Sequence, residues 1–276
     1  MPEGDTVFRV CRTLHRALAG KVLTKADFRV PKLAGADLAG QTIKQVSPRG
    51  KHILTRTNEG MTLRTHLKME GAWVLYRPED RWRGPGFEIR VVLETDDWTA
   101  VGYRLAMIEI VPSAEEHRLV GHLGPDILGP GWNMQEAMAR LQSKPDLSIA
   151  EALLDQRNLA GIGNLYKNET LFLKGLSPWT PVSQIENLEA VLSLAQKLMR
   201  LNIDHPEQAT TGNTRHGQEW HVMERPGKPC RRCGDLIQVA NQGTPARLTY
   251  WCPTCQGSSH KKGPRSHQVP SPFSLE

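Results

Sequence analysis

Three absences narrow the class of protein that this sequence can encode. The 276 residues contain no run of 18 apolar residues, so no membrane span is expected. No secretory signal is visible, and we therefore expect a reducing compartment, the cytoplasm. Aromatic residues make up 6% of the chain, and they form no stacking platform of the kind that RNA-binding modules display. The chain also shows no internal repeat.

The composition is that of a globular, basic protein. Hydrophobic residues at 39% are enough to form cores, and the length suits two domains or one domain with appendages. The net charge of +6 and the isoelectric point near 9.1 are compatible with a polyanionic partner. Residues 257–276 are rich in Ser, Pro, His and Lys and lack periodicity, which predicts a disordered basic tail.

Four of the five cysteines form a metal-binding pattern. Cys230-x2-Cys233 is followed after 18 residues by Cys252-x2-Cys255, a spacing that suits four thiolates around one structural Zn2+ ion. Two disulfides are the alternative, but cysteines two residues apart make a poor disulfide framework. Such a closed site folds its module and performs no chemistry. The intervening residues predict a hairpin with strands at 237–240 and 248–251.

The fifth cysteine, Cys11, lies on the apolar stripe of a predicted first helix over residues 6–18. The stripe continues at helical spacing through Val7, Val10, Leu14 and Leu18. Cys11 is therefore expected to be a buried thiol rather than a reactive one. Asp5 or Thr6 is placed to cap the helix.

Short segments with strand character follow this helix, separated by turn residues. They predict seven strands, at 22–30, 42–46, 52–57, 61–66, 73–76, 88–93 and 108–111. Seven short strands behind one helix suggest a β-sandwich or a barrel of about 125 residues.

The pattern becomes helical after a linker rich in Gly and Pro at residues 124–131. Ser148 and Glu151 form a capping box that opens a helix running to about Arg157. A Gly-rich turn at 159–164 leads into a helix from Asn164 to Lys174, which Gly175 closes. A third helix is predicted over residues 188–199 from the spacing of apolar residues.

Pro2-Glu3-Gly4, directly after Met1, could carry covalent chemistry. A small second residue allows removal of Met1, which would give Pro2 a free secondary amine. Such an amine can attack a sugar aldehyde and form an iminium, while an acidic neighbour moves protons. The positive end of the following helix would lower the pKa of the amine. The alternative is an ordinary solvated chain start.

The turn Gly161-Ile162-Gly163-Asn164 presents backbone N–H groups and an amide side chain at a helix start. This arrangement suits a phosphate group. Because many helical hairpins carry glycine in the turn, a purely structural turn is the alternative.

Four separated motifs resemble those of one family. They are Pro2-Glu3-Gly4; Arg49-Gly50-Lys51; Leu153-Leu154-Asp155-Gln156 running into the glycine turn at 161–164; and Tyr250-Trp251-Cys252-Pro253. Over about residues 1–256 the chain is similar to the formamidopyrimidine-DNA glycosylase and endonuclease VIII family of base-excision repair. The first and last motifs lean toward the endonuclease VIII branch.

The resemblance implies roles for five positions. Pro2 would attack C1′ of the sugar, expel the damaged base and form an iminium with the DNA. Glu3 would open the sugar and move protons, and Lys51 would assist catalysis and contact DNA. Asn164 would bind the phosphate near the lesion. Arg247, five residues before the third cysteine, matches a hairpin arginine that serves both catalysis and DNA binding. Without the resemblance, Lys51 would be a solvated turn lysine and Arg247 an ordinary hairpin charge.

The segment His66-Leu67-Lys68-Met69-Glu70-Gly71 matches the part of the family that carries a hydrophobic wedge. Excision requires the damaged nucleotide to leave the base stack, and Met69 is expected to fill the gap. A methionine of the protein core is the alternative.

Two features depart from the family pattern. Many members have a proline and a glutamate where this chain has Asp5 and Thr6. The long lesion-capping loop of the formamidopyrimidine branch is replaced by a short stretch at 202–227, which weakens the case for oxidised purines as the main substrate.

We therefore predict an α+β multidomain protein with an N-terminal β-sandwich and leading helix, a helix-two-turn-helix domain and a zinc-ribbon hairpin. The expected boundaries are 1–125 for the sandwich, 126–146 for a linker and first helix, 147–225 for the helical domain, 226–256 for the zinc finger and 257–276 for the tail.

The predicted activity is that of a bifunctional DNA glycosylase and abasic-site lyase that removes oxidised bases, pyrimidines above all, and cleaves by successive β- and δ-elimination. The expected partners are damaged double-stranded DNA and abasic-site DNA. The protein is expected to be a monomer without membrane association, in a cytoplasm of bacterial type and at the nucleoid. The alternative is a non-catalytic damaged-DNA-binding protein on the same scaffold, and the Asp5-Thr6 pair is its only support in the sequence.

Overall fold

The computed structural model describes residues 2–257, and the predicted tail from residue 258 onward lies outside this range. The first part is a sandwich of two four-stranded antiparallel sheets, with strand orders β1-β6-β7-β5 and β2-β3-β4-β8. The strands are β1 Lys25–Phe28, β2 Ile43–Arg49, β3 His52–Thr57, β4 Met61–His66, β5 Ala72–Tyr76, β6 Ile89–Glu94, β7 Thr99–Tyr103 and β8 Met107–Pro112. Both sheets contribute apolar side chains to one shared core, which confirms the sandwich.

The sequence predicts seven of these eight strands and misses β7. All five residues of β7 are buried, and Gly102 interrupts the run, so the segment has neither the alternation nor the uniform β-branched composition that marks a strand. The strand lies between β6 and β5 in the middle of its sheet, which explains its burial.

The leading helix α1 spans Gly4–Leu18 and packs its apolar stripe into the sandwich core. Cys11 is 1% exposed, and burial raises the pKa of its thiol, so the prediction of an inert buried cysteine is confirmed. The predicted cap is wrong, because the helix begins at Gly4 with Glu3 at the N-cap and no side chain caps it. The acidic side chains at this end bind other elements instead.

The helical part contains α2 His117–Val120, α3 Met134–Gln142, α4 Ile149–Leu154, α5 Asn164–Lys174 and α6 Leu188–Asn202. Ser148 and Glu151 open α4 as predicted. The helix ends at Leu154 rather than near Arg157, because the Asp155 carboxylate accepts a hydrogen bond from the Arg157 backbone and turns the chain. Helix α5 ends at Gly175, whose φ of +67° is the predicted left-handed stop.

A hairpin of β9 Gln238–Gln242 and β10 Arg247–Trp251 follows, and the short helix α7 Pro253–Gln256 ends the described chain. The hairpin is attached to α5, where the Asn168 side chain accepts a hydrogen bond from the Tyr250 backbone. The α+β architecture with sandwich, helical domain and cysteine hairpin is therefore the predicted one. Within residues 2–257, none of the helices has the length and apolar character that crossing a membrane requires.

Candidate active site

The start of the chain is fixed against the glycine turn of the helical domain. The backbone N–H of Gly4 donates to the carbonyl of Gly161 at 3.0 Å, and Gly4 is buried against this residue. Pro2 is half-buried and lies two residues ahead of α1. An amine freed at Pro2 would therefore lie at the positive end of a helix and beside a Gly-rich backbone.

The Glu3 carboxylate binds the N-terminus of α5, 160 residues further along the chain. Its two oxygens accept hydrogen bonds from the backbone N–H groups of Gly163 and Leu165, each at 2.7 Å. Glu3 is fully buried, and burial raises its pKa, although the nearby Lys51 charge and both hydrogen bonds act in the opposite direction. The two hydrogen bonds fix the position of the carboxylate, and its burial favours uptake of a proton relative to an exposed glutamate.

Lys51 approaches the same glycine from the sandwich. A methyl group added to Gly163 would lie 2.5 Å from Cδ of Glu3 and 2.8 Å from Nζ of Lys51, so both groups converge on this position. Burial lowers the Lys51 pKa, and the attraction of Glu3 opposes this shift. Lys51 therefore gives up a proton more readily than a surface lysine does.

The β2–β3 turn is fixed to the helical domain by Asp126. The buried carboxylate of Asp126 accepts a hydrogen bond from Gly50 at 2.6 Å and another from Leu128 at 3.1 Å. Gly50 has a φ of +58° and lies against Ala160, with no room for a side chain. These contacts position Lys51, the next residue.

Gln156 fixes the glycine turn from inside. Its oxygen accepts from the Gly161 N–H at 3.0 Å, and its nitrogen donates to the carbonyls of Leu154 and Ile162 at 3.0 and 2.8 Å. Gln156 is the last residue of the motif at 153–156, but the sequence did not indicate what its side chain does. Its side chain holds the loop in the shape that binds Glu3.

Asn164 contacts the cysteine hairpin next to Arg247. The Asn164 amide donates to the carbonyl of Leu248 at 2.8 Å, while its buried Oδ1 has no hydrogen-bond partner within residues 2–257. Arg247, the next residue toward the hairpin tip, is exposed. Its charge contributes to lowering the pKa of Lys51. The structure thus brings Pro2, Glu3, Lys51, Asn164 and Arg247 to one region.

Met69 lies in the turn between β4 and β5, which follows His66; His66 pairs with His52, the residue after Lys51. Its side chain is 60% exposed, so the alternative of a core methionine is wrong. The turn is shaped by Lys68, which has a φ of +54° and donates its backbone N–H to the His66 ring at 2.8 Å. The His66 ring contacts the His52 ring edge to face, and burial lowers the two pKa values to about 4 and about 3. Both histidines are therefore neutral at physiological pH.

The four cysteines of the hairpin converge as the sequence predicts. Their sulfur atoms all lie within 4.8 Å of one another. The Cys230–Cys255 and Cys233–Cys252 pairs are 3.8 and 3.4 Å apart, too far for disulfides and close to the edge of about 3.8 Å of a tetrahedron with Zn–S bonds of about 2.3 Å. Backbone N–H groups also point at two of the sulfurs, which suits thiolates. The donor set fits one structural zinc ion.

Asp5, one of the two positions at which this chain departs from the family pattern, is buried and connects three segments of the chain. Its carboxylate accepts hydrogen bonds from the Tyr166 hydroxyl and the Gln208 amide, each at 2.9 Å. Burial raises the Asp5 pKa. The residue ties α1 to α5 and to the segment that follows α6, which is a structural reason for an acidic side chain here.

Two buried charges on α5 were not found from the sequence. Lys167 donates from Nζ to the Thr249 hydroxyl at 2.8 Å, and burial lowers its pKa to about 7. Glu169 accepts hydrogen bonds from the backbone N–H groups of His221, Val222 and Met223 at 2.8 to 2.9 Å. Residues 165 to 172 of α5 are all buried, so the helix has no separate polar and apolar faces. The sequence pattern therefore could not show that these two charged side chains are buried.

Comparisons with known proteins give the same picture. The model of the formamidopyrimidine-DNA glycosylase N-terminal domain matches residues 1–106, the H2TH domain of that enzyme matches 123–213, and a zinc finger found in FPG and IleRS matches 227–257. The structure of Lactococcus lactis Fpg bound to DNA with an abasic site has a TM-score of 0.78, at 22% identity, over 92% of this chain and 99% of that one. This likeness shows a common fold.

Two relatives are similar over nearly their whole length. A Streptomyces coelicolor protein named "Probable endonuclease 8 2" is 51% identical over 96% of this chain and 98% of its own. A Mycolicibacterium smegmatis protein named "DNA-(apurinic or apyrimidinic site) lyase Nei2" is 43% identical over 94% of this chain and all of its own. With three domain models matched in order and these relatives covered from end to end, the chain belongs to the formamidopyrimidine-DNA glycosylase and endonuclease VIII family.

Proposed function

We propose that this protein is a bifunctional DNA glycosylase and abasic-site lyase of the endonuclease VIII type. The observation that carries the proposal is the convergence of Glu3 and Lys51 on Gly163, immediately beside Pro2. An acid and a cation of the required types converge where two domains join, and the proposed nucleophile is the residue before the acid. The names of the Streptomyces and Mycolicibacterium relatives support the same activity.

Pro2 is the nucleophile of the proposed reaction. After removal of Met1, its uncharged nitrogen forms a bond to C1′ of the sugar as the bond from C1′ to the damaged base breaks. The helix end and the Lys51 charge lower the pKa of this amine and enlarge its uncharged fraction. The nitrogen, cationic once bonded to C1′, gives up its proton, and the expelled base takes up one. The lone pair thus restored opens the sugar ring, which leaves an iminium between Pro2 and C1′.

Glu3 supplies and receives the protons. Burial raises the pKa of the Glu3 carboxyl and so favours its protonated form, which would donate to the ring oxygen of the sugar as the ring opens. Loss of a proton from C2′ then expels the 3′ phosphate, and a second elimination expels the 5′ phosphate. The fixed position of the carboxylate on α5 keeps it aligned through these steps.

DNA would lie across the junction of the sandwich and the helical domain. In this proposal Lys51, Asn164 and Arg247 would contact phosphates there, with Asn164 exchanging its hydrogen bond to Leu248 for one to DNA, and Met69 would enter the base stack. Affinity should then fall by about 0.9 log unit per log unit of salt for each phosphate contact. We propose oxidised pyrimidines as the main substrates, because the segment between α6 and the hairpin is short for a loop that caps oxidised purines.

Borohydride trapping tests the proposal. An oligonucleotide with one abasic site is mixed with protein from which Met1 has been removed, as verified by mass, and the reductant is added. We expect a covalent adduct. Protein that retains Met1 is the matched control, since its Pro2 nitrogen is an amide while its side chains are unchanged.

Binding to a tetrahydrofuran abasic-site analogue, which cannot form the iminium, is measured in parallel. An adduct only from the processed form, with equal binding by both forms, supports the lyase. Equal binding without any adduct would mean a non-catalytic DNA-binding protein. The structural use of Asp5 removes the one feature of the sequence that favoured this second function.

A further inference from the structure

Lys167, the fourth residue of α5, is a fully buried lysine. Its Nζ donates to the hydroxyl of Thr249 on β10 at 2.8 Å and forms no ion pair within residues 2–257. Lysine is almost never fully buried without an ion-pair partner, because removing the ammonium from water costs free energy. The proposed reaction gives Lys167 no role, so its burial needs another explanation.

A chain of hydrogen bonds leads from Lys167 through the hairpin to α4. The Thr249 hydroxyl accepts from Lys167 and donates to the side-chain oxygen of Gln242 at 2.9 Å. The Gln242 amide donates to the Ser148 hydroxyl at 2.9 Å, and this hydroxyl donates to the Glu151 carboxylate at 2.5 Å. All donors therefore point the same way, from a cation to a carboxylate, and hydrogen bonds in such a chain polarise and strengthen one another.

This chain passes through the two residues that lie nearest to Arg247 on its face of the hairpin. Gln242 is the strand partner of Arg247, and Thr249 lies two residues further along β10, on the same face as Arg247. Between them, the Leu248 carbonyl accepts from the Asn164 amide. Two bonds from α5, one to Leu248 and one to Thr249, therefore fix the strand immediately after Arg247.

Charged groups from three elements face Lys167. Burial lowers its pKa to about 7, while Glu3, ahead of α1, raises the pKa and Arg247 on β10 lowers it further. Glu151 of α4 lies at the far end of the hydrogen-bond chain. A DNA phosphate bound at Arg247 would add a negative charge to this group and stabilise the ammonium. Binding of DNA above pH 7 would therefore draw a proton onto Lys167.

We propose that Lys167 is a positioning residue for DNA binding, which holds Arg247 toward the phosphate through Thr249 and supplies a buried positive charge to that site. This inference rests on the proposed function, in which Arg247 contacts DNA and Asn164 exchanges its bond to Leu248 for one to DNA. Once Asn164 has released Leu248, the bond from Lys167 to Thr249 still holds the strand that carries Arg247 on α5.

The test measures how tightly the full-length, zinc-loaded protein without Met1 binds a duplex that contains the tetrahydrofuran analogue. Fluorescence anisotropy gives the affinity between pH 6 and 9 at one salt concentration. Lys167→Met removes the charge at a similar volume, and Lys167→Arg keeps it at every pH of the series. Thr249→Val interrupts the chain from the hairpin side and leaves the charge in place. Lys174→Met is the matched control, because it removes an exposed lysine at the other end of the same helix.

We expect wild-type affinity to fall above pH 7 by up to about 10-fold per pH unit, the limit for uptake of one proton on binding. Lys174→Met should follow wild type. Lys167→Arg should bind tightly over the whole range, whereas Lys167→Met should bind about 10-fold more weakly at pH 6, the effect of one nearby charge at an effective dielectric constant of about 20. Thr249→Val should weaken binding at every pH, and this effect should disappear in an Arg247→Gln background.

Other groups of the site titrate in all variants, so the difference between wild type and Lys167→Arg isolates Lys167. A wild-type pH profile that Lys167→Arg and Lys167→Met both reproduce would overturn the inference. Should Lys167→Arg fail to fold, the Thr249→Val cycle decides, and an effect that persists in the Arg247→Gln background would also overturn it. Wild type that neither binds this duplex nor traps abasic DNA would defeat the proposed function itself.

Discussion

Gly163→Ala is the sharpest perturbation of the candidate site. The added methyl would lie 2.5 Å from Cδ of Glu3 and 2.8 Å from Nζ of Lys51, whereas ordinary contact begins at 3.4 Å. The backbone itself tolerates alanine, since φ is −129° and ψ is −158° at this position. The substitution therefore acts through the two proposed catalytic side chains and not through backbone strain.

The expected size follows from these distances. Glu3 and Lys51 must move by about 0.6 to 0.9 Å, and a displacement near 1 Å in a catalytic group costs about 100-fold in rate. Overpacking of this kind also costs about 1 to 3 kcal/mol of stability. Single-turnover borohydride trapping at saturating DNA measures the rate without interference from affinity, and urea denaturation measures the stability.

Gly35→Ala is the control, because nothing lies within 4 Å of its added methyl and its φ is not left-handed. It should leave rate and stability unchanged. A folded Gly163→Ala protein that traps abasic DNA at the wild-type rate would refute the assignment of Glu3 and Lys51 to the reaction.

Three further predictions concern groups that support the site. Burial lowers the Lys167 pKa from 10.5 in the unfolded chain to about 7 in the folded protein. Between these two pH values the unfolded chain binds more protons than the folded protein. The contribution of Lys167 to the free energy of unfolding therefore rises with pH in this range, by about 1.4 kcal/mol per pH unit. Lys167→Met should reduce this slope in urea denaturation at pH 7 and 9, and an unchanged slope would contradict the shift. Chelation should release one zinc per chain, measured by atomic absorption, and unfold the hairpin; an intact circular dichroism spectrum afterwards would speak against a structural metal. Asp5→Ala leaves the Tyr166 hydroxyl and the Gln208 amide without their acceptor, at a cost of about 1 to 3 kcal/mol each, so an unchanged melting temperature would show that Asp5 does not support the fold.

Local patterns predicted the parts of the fold that local physics determines. The bounds of β3 and β4, the stop of α5 at Gly175 and the cysteine cluster were predictable because alternation, a left-handed glycine and metal spacing act within a few residues. The missed strand β7 has no such pattern, because both of its faces are buried. Its place depends on β5 and β6, and no local pattern contains that information.

The candidate site divides in the same way. Residue type and position suggested Pro2 and Glu3, and the family resemblance suggested Lys51. Neither showed which contacts bring the three residues together. Glu3 is the N-cap residue of α1, but its side chain binds the N-terminus of α5, where two buried N–H groups donate to it. Its contact lies 160 residues away, beyond the reach of periodicity or capping rules.

The same contact explains why the chemistry is placed at the junction of two domains. Glu3 comes from the sandwich part of the chain but is held by α5, while Lys51 is fixed through Gly50 to Asp126 of the helical part. Each proposed catalytic group thus depends on a hydrogen bond from the other domain. Burial raises the pKa of Glu3 and lowers that of Lys51, and both side chains are buried only while the two domains pack against each other. The junction therefore sets both the positions and the proton affinities of the groups, and a shift of the two domains would change both at once.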